Sequence, residues 1–192
     1  VILTADHGED LLDHGWIGHA STSWAGALYE EIVHVPLIIR YPKRFPPGKE
    51  ITQVVQTMDL LPTLHEMFSI PRPLTFQGNS MTPLLMTQVK GWKEIAFSEN
   101  TPCGYQCDRI PEKSSHRLLA VRSGPWKLVA TFTPDKTDFA LFLLTTDPGE
   151  TSNLIQTQPE VAARLKDLLL TQSYKNRILR KQVLGQCTSE KR

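Results

Sequence analysis

Between Asp6 and His19 the chain places four carboxylates and three imidazoles, in Asp6-His7-Gly8-Glu9-Asp10, Asp13-His14-Gly15 and Gly18-His19. Carboxylate oxygens and imidazole nitrogens are donors for divalent cations, and imidazole also carries protons near neutral pH. Adjacent Asp6 and His7 cannot both face the same way from a regular strand. On a turning loop relieved by Gly8, both can reach one cation. A lone Asp-His-Gly is often only a turn, and Asp10 and Asp13 read better as solvated or capping residues. His14 suits either the site or a satisfied structural position.

The elements around this cluster give it a place. Val1 to Thr4 and Val35 to Tyr41 are continuous apolar strands, the kind buried on both faces of a parallel sheet. In open α/β sheets functional side chains gather just beyond the carboxyl ends of strands, which is where Asp6 and His7 fall. Ala25 to Ile32 is expected to start a short helix, and Pro42 to Lys49 a surface loop. Met58 to Phe68 reads as a helix with Asp59 as N-cap, Pro62 in its first turn, and Leu61, Leu64 and Phe68 on one stripe.

From about Ile95 the pattern changes to short strands. Arg117 to Arg122 and Trp126 to Phe132 flank Ser123-Gly124-Pro125 as a hairpin, and Phe139 to Leu144 is a further strand closed by Asp147-Pro148-Gly149-Glu150. Pro159 opens a helix expected to run through Leu170, with Val161, Leu165, Leu168 and Leu169 facing inward. The expected organisation is a parallel or mixed α/β part over 1–90, an antiparallel α+β subdomain over 91–172, and a frayed basic, polar tail over 173–192.

The 192 residues are 40% hydrophobic and 21% charged, so a sizeable core is available. A net charge of +1 removes any whole-chain argument for nucleic acid or an anionic membrane as partner. No apolar run is long enough to span a bilayer. Three cysteines exclude a disulfide-rich scaffold and a four-cysteine zinc module.

Four ordered stretches resemble the sulfatases of the alkaline phosphatase superfamily. They are Thr4-Ala5-Asp6-His7-Gly8-Glu9 with Asp13-His14-Gly15; Leu28-Tyr29-Glu30-Glu31 with Val35 to Arg40; Met58 to Leu64; and Arg122 to Leu128 with Asp147 to Glu150 and Asn153-Leu154. The likeness runs to about Leu170. It implies an alkaline-phosphatase-like α/β fold, present in part, followed by the smaller antiparallel subdomain. It implies a divalent cation held by Asp6 and His7, Ca²⁺ by family habit, with Mn²⁺ or Mg²⁺ as alternatives. It also implies that His19, where such enzymes carry Lys or His, faces the substrate's anionic oxygens as a catalytic and substrate-binding residue.

On the same resemblance, Tyr29 and Glu30 are packing and capping residues and His34 lies at a sheet edge. Ser21, Thr22, Ser23 and Trp24 either contact substrate or belong to an inserted loop. Cys103 and Cys107 form a poor zinc site, and whether they are bridged stays open. The substrate class is a sulfated small molecule or carbohydrate. The compartment implied is periplasmic, lysosomal or secreted, and the oligomeric state is open.

The family's nucleophile is a formylglycine made in a Cys/Ser-x-Pro-x-Arg motif, and no such motif occurs here. With that absence and a strand starting at Val1, the chain is expected to be the C-terminal portion of a sulfatase, inactive alone. The alternatives are a phosphonate or phosphodiester hydrolase of the same superfamily, or a non-catalytic truncated module.

Overall fold

The computed structural model describes residues 1–15, 17–19, 27–86, 91–100 and 117–189, with side chains described to residue 179. Its largest unit is a four-stranded antiparallel meander in the order β5-β6-β7-β8, formed by Ile95–Asn100, Arg117–Ser123, Trp126–Phe132 and Thr137–Leu143. The β6–β7 hairpin turns through Gly124-Pro125, with Ser123 opposite Trp126. Gly124 has φ +57°, the left-handed geometry that a two-residue turn with Gly in its first central position requires.

Period-two alternation sends β6 side chains to both faces, and both are covered. Leu119 and Val121 join Leu128, Ala130 and Leu141 against Ala162, Leu165 and Leu169 of a helix. Leu118 and Ala120 pack against Leu28 on the opposite face. Burying a side chain such as Leu165, which has no exposed surface, contributes about 1.5–3 kcal/mol.

That helix, α4, spans Pro159–Ser189 as numbered here, with α1 (Glu30–Val33), α2 (Leu60–Met67) and α3 (Thr82–Met86) before it. It runs well past Leu170, so the frayed tail expected over 173–192 is helical to Ser189. The cause is composition: Gln, Lys, Arg and Leu are good helix formers, and no proline interrupts them after Pro159.

The amino-terminal part holds β1 (Ile2–Thr4), β2 (Asp10–Leu11), β3 (Ile17–Gly18) and β4 (Leu37–Ile39). β1 and β4 pair with each other antiparallel, Ile2 opposite Ile39, which fits the mixed form of the expected sheet and not the wholly parallel one. Continuous apolar composition marks a strand meant for burial on two faces but says nothing of its direction. Here Leu3 and Ile38, cross-strand partners, are 53% and 61% exposed.

The helix expected over 58–68 is a 3₁₀ turn at Thr57–Asp59 continuing into α2. Its buried residues are Pro62, Thr63 and Met67, while Leu61 and Phe68 are exposed. Polar contacts explain the rotation. The Thr63 hydroxyl donates to the Asp59 carbonyl (2.6 Å) and accepts from the Met81 N–H (2.8 Å), which turns that face inward. Asp59 makes no side-chain cap to α2; its carboxylate accepts from the Gln56 and Asn79 N–H groups at 2.8 and 2.7 Å.

Long-range hydrogen bonds tie this part to the sheet and to Trp92 just before it. Gln56 Oε1 accepts from the Phe97 N–H (2.8 Å), the Trp92 indole donates to the Val54 carbonyl (2.9 Å), and Asn100 donates to the Ala27 carbonyl (3.3 Å).

Candidate metal and anion site

β1 ends at Thr4, and the chain leaves it as an irregular loop carrying Asp6, His7 and Glu9. The loop is pinned to α1 by the Gly8 N–H, which donates to the Ile32 carbonyl (2.8 Å). A Cβ at Gly8 would overlap the Glu31 carbonyl, so glycine is needed for close approach and not for an unusual φ. The β2–β3 hairpin pairs Asp10 with Gly18, so the next residues outward, Glu9 and His19, stand opposite each other. His19 Nδ1 lies 2.7 Å from Glu9 Oε1, and the His19 ring sits 4.1 Å from that of His7, tilted by 38°.

Asp6 Oδ1 accepts from the His7 N–H (3.1 Å), and Oδ2 is 3.7 Å from His7 Nε2. Backbone N–H donors, its own and that of His7, hold the Asp6 carboxyl below the usual carboxylate range. It is therefore anionic at neutral pH. His7 Nδ1 lies 2.9 Å from the Gly8 carbonyl, which can only accept, so Nδ1 carries the proton and Nε2 the lone pair in the neutral ring. The same bond raises the His7 pKa.

Asp6, His7 and His19 line one cavity of about 420 Å³, with Leu28 and Ile32 on its α1 side and Asn100 from β5. The structure thus brings together the three residues on which the sequence reading places the chemistry. It adds Glu9, which that reading left without a role; the hairpin register that sets Glu9 beside His19 is invisible in a linear motif.

His14 is elsewhere. Its ring stacks on Tyr29 at 3.5 Å and 6°, its Nε2 is 3.5 Å from Glu31 Oε2, and its side chain is 11% exposed. It is a packing residue. Asp10 is buried, and its Oδ1 accepts from the Leu12 N–H, with Leu12 at φ +85°. His34 follows α1 at its C-terminus, exposed. Ser21 to Trp24 and the Cys103–Cys107 loop lie outside the described residues.

The sequence reading also missed a charge network behind the cavity. Lys127 Nζ lies 2.9 Å from Glu30 and 3.0 Å from Glu150, and Arg122 is 2.9 Å from Glu30. Glu150 accepts from the Glu30 N–H at 2.6 Å, capping α1 from 120 residues away. The signal available was the facing pair Arg122 and Lys127 on β6 and β7, two cations that demand acidic partners.

The family described as N-sulphoglucosamine sulphohydrolase, C-terminal, matches residues 14–175, and the chain belongs to that family. It is 28% identical over 173 residues to the N-acetylglucosamine-6-O-sulfatase of Bacteroides thetaiotaomicron, covering 88% of this chain and 28% of that protein. It is 30% identical over 161 residues to arylsulfatase K of Xenopus laevis, covering 83% of this chain and 28% of that one. A protein solved in complex with its substrate, D-glucosamine-2-N,6-O-disulfate, superimposes with a TM-score of 0.69 at 26% identity, over 94% of this chain and 34% of that one. The chain thus spans about 28% of the length of these curated relatives.

Proposed function

We propose that the complete protein hydrolyses sulfate esters of a sulfated carbohydrate, and that this chain supplies part of its active site. The observation that carries the reading is the shared cavity of Asp6, His7 and His19 at the end of β1. An anionic oxygen and an imidazole Nε2 that lie 3.7 Å apart suit one divalent cation, with Ca²⁺ the assignment and Mn²⁺ or Mg²⁺ the alternatives. Such a cation supplies positive charge against the sulfuryl oxygens when bound.

The chain's own residues do the rest of the positioning. Asp6 stays ionised because backbone donors stabilise its charge. The Gly8 carbonyl holds the His7 ring with Nε2 turned toward Asp6. Glu9 fixes the His19 ring at the cavity by accepting from Nδ1–H, and in the imidazolium form the second ring N–H can donate to an anionic oxygen of the substrate. The nucleophile is assigned to sequence beyond these 192 residues, since no Cys/Ser-x-Pro-x-Arg occurs in them. Support for a sugar substrate comes from the relatives, two of which are named for, or were solved with, sulfated glucosamine derivatives.

The test is metal content and steady-state kinetics of the full-length protein on an aryl sulfate and an aryl phosphodiester. Asp6→Ala and His7→Ala should lose metal and rate together. His19→Ala should keep metal and lose turnover, and His14→Ala should keep both. Full metal and rate in Asp6→Ala, or a clear preference for the phosphodiester, overturns the reading.

A further inference from the structure

The two residues that the family resemblance assigns to a cation are not the tightest donor cluster in this region. Among the described residues, His7, Glu9 and His19 each offer one ligand atom, and the three atoms lie within 4.8 Å of one another. Asp6 is not in that set; its side chain is 90% exposed, against 40%, 43% and 33% for His7, Glu9 and His19. Two imidazoles and one carboxylate with room for solvent is a different chemistry from a hard-oxygen site. Imidazole favours Zn²⁺ and its neighbours in the first transition row, and three such ligands with water completing the shell are a familiar zinc arrangement.

Backbone geometry prepares the cluster. The β2–β3 register sets Glu9 opposite His19 without any bound ion. His7 reaches the same point from the other side of the loop, with its ring 4.1 Å from that of His19. The Nδ1–H of His7 donates to the Gly8 carbonyl, and this outer contact is the one that fixes ring orientation and tautomer in metal-binding histidines. Gly8 itself is tethered to Ile32, so the orienting carbonyl belongs to a loop anchored on α1.

We propose that His7, Glu9 and His19 form a binding site for a transition-metal ion of the Zn²⁺ class, a donor set that shares His7 with the Asp6–His7 pair but uses Glu9 and His19 in place of Asp6. His7 cannot serve both ions. A zinc-class ion therefore competes with the resident cation for His7 and withdraws His19 from the substrate anion, which makes the site inhibitory in a complete enzyme. Binding itself depends on the geometry of this chain alone and does not require that the sulfatase reading hold.

The experiment is calorimetric titration of the full-length protein, stripped of bound cations by chelation, with ZnCl₂, together with Co²⁺ absorption as a report of coordination geometry. Variants are Glu9→Gln, His19→Ala and Asp6→Asn, each checked for folding by circular dichroism. One ion per chain is expected, with binding weakened by at least ~10-fold in Glu9→Gln and His19→Ala and unchanged in Asp6→Asn. The absence of one-to-one binding overturns the proposal. So does zinc binding that survives Glu9→Gln and His19→Ala, which would place the ion elsewhere, or binding that depends on Asp6 as strongly as on Glu9.

Discussion

Lys127 Nζ lies 2.9 Å from Glu30 Oε1, joining residues 97 apart in sequence and fastening the hairpin of the C-terminal sheet to the helix behind the cavity. Lys127 is 1% exposed, and its second partner, Glu150, is also buried. A charge so placed is tolerated only because its partners are present; removing one side leaves the others desolvated and unpaired.

Lys127→Met should therefore cost about 3–5 kcal/mol. The Glu150 carboxyl is pushed up by burial, an effect that Lys127 partly offsets, so Glu150 can take up a proton in the variant and the loss falls at the lower end. Adding Glu150→Gln should recover part of the stability, because the two residues share one network. Urea denaturation of wild type, single and double variants reads this directly. A Lys127→Met change of less than about 0.5 kcal/mol would show that the network is energetically idle.

Gly8→Ala should lower the thermal midpoint, since a Cβ there overlaps the Glu31 carbonyl and a backbone atom cannot swing aside. Overpacking of this kind costs about 1–3 kcal/mol. The same change moves the loop away from Ile32, so the His7 and Glu9 side chains should lose their alignment with His19. Imidazole nitrogen shifts of His7 and His19 are the measurement. Wild-type shifts together with a wild-type midpoint would mean that the loop yields without consequence.

Gly8 also shows what a linear sequence conveys. Its presence beside Asp6 and His7 was legible; the reason for glycine was not, because it lies in a carbonyl 23 residues away. The C-terminal sheet was legible because alternation, the Gly124-Pro125 turn and Pro159 are local signals. The inward face of α2 was not, since the Thr63 hydroxyl, bonded to Asp59 and Met81, outweighs the stripe of Leu61 and Phe68. The direction of β1 against β4 escaped for the same reason: apolar composition selects burial, and only the partner selects orientation.

Asp147 predicts a pH dependence. Its carboxylate accepts from the Thr151 and Ser152 N–H groups at 3.0 and 2.9 Å and from the Thr151 hydroxyl, and these bonds hold its pKa below the ordinary value of 3.8. For an acid with a depressed folded-state pKa, the unfolded chain binds the proton first as pH falls. The stabilisation is thus fully present above the unfolded value and is lost as pH drops through the folded one. Asp147→Ala should lower the melting temperature at neutral pH, and the gap from wild type should close as the solution is acidified below that range. A gap that stays constant with pH would assign the residue a purely steric role.

The exposed apolar side chains argue for association. Leu3 and Ile38 face each other across β1 and β4 at 53% and 61% exposure, and Leu61, Phe68 and Ile70 are each at least half exposed along and after α2. Apolar groups grouped in this way mark surfaces meant to be covered, and a short strand pair with open faces is a template for further pairing. On the function proposed above, the remainder of a complete hydrolase covers them. The isolated chain should then self-associate at micromolar concentration, as seen by light scattering on a sizing column. Ile38→Lys and Phe68→Glu place charge on these surfaces without touching the Leu119–Leu165 core, so each should shift the population toward monomer while the thermal midpoint holds. A monodisperse monomer of the wild-type chain across that range would show that these surfaces need no partner.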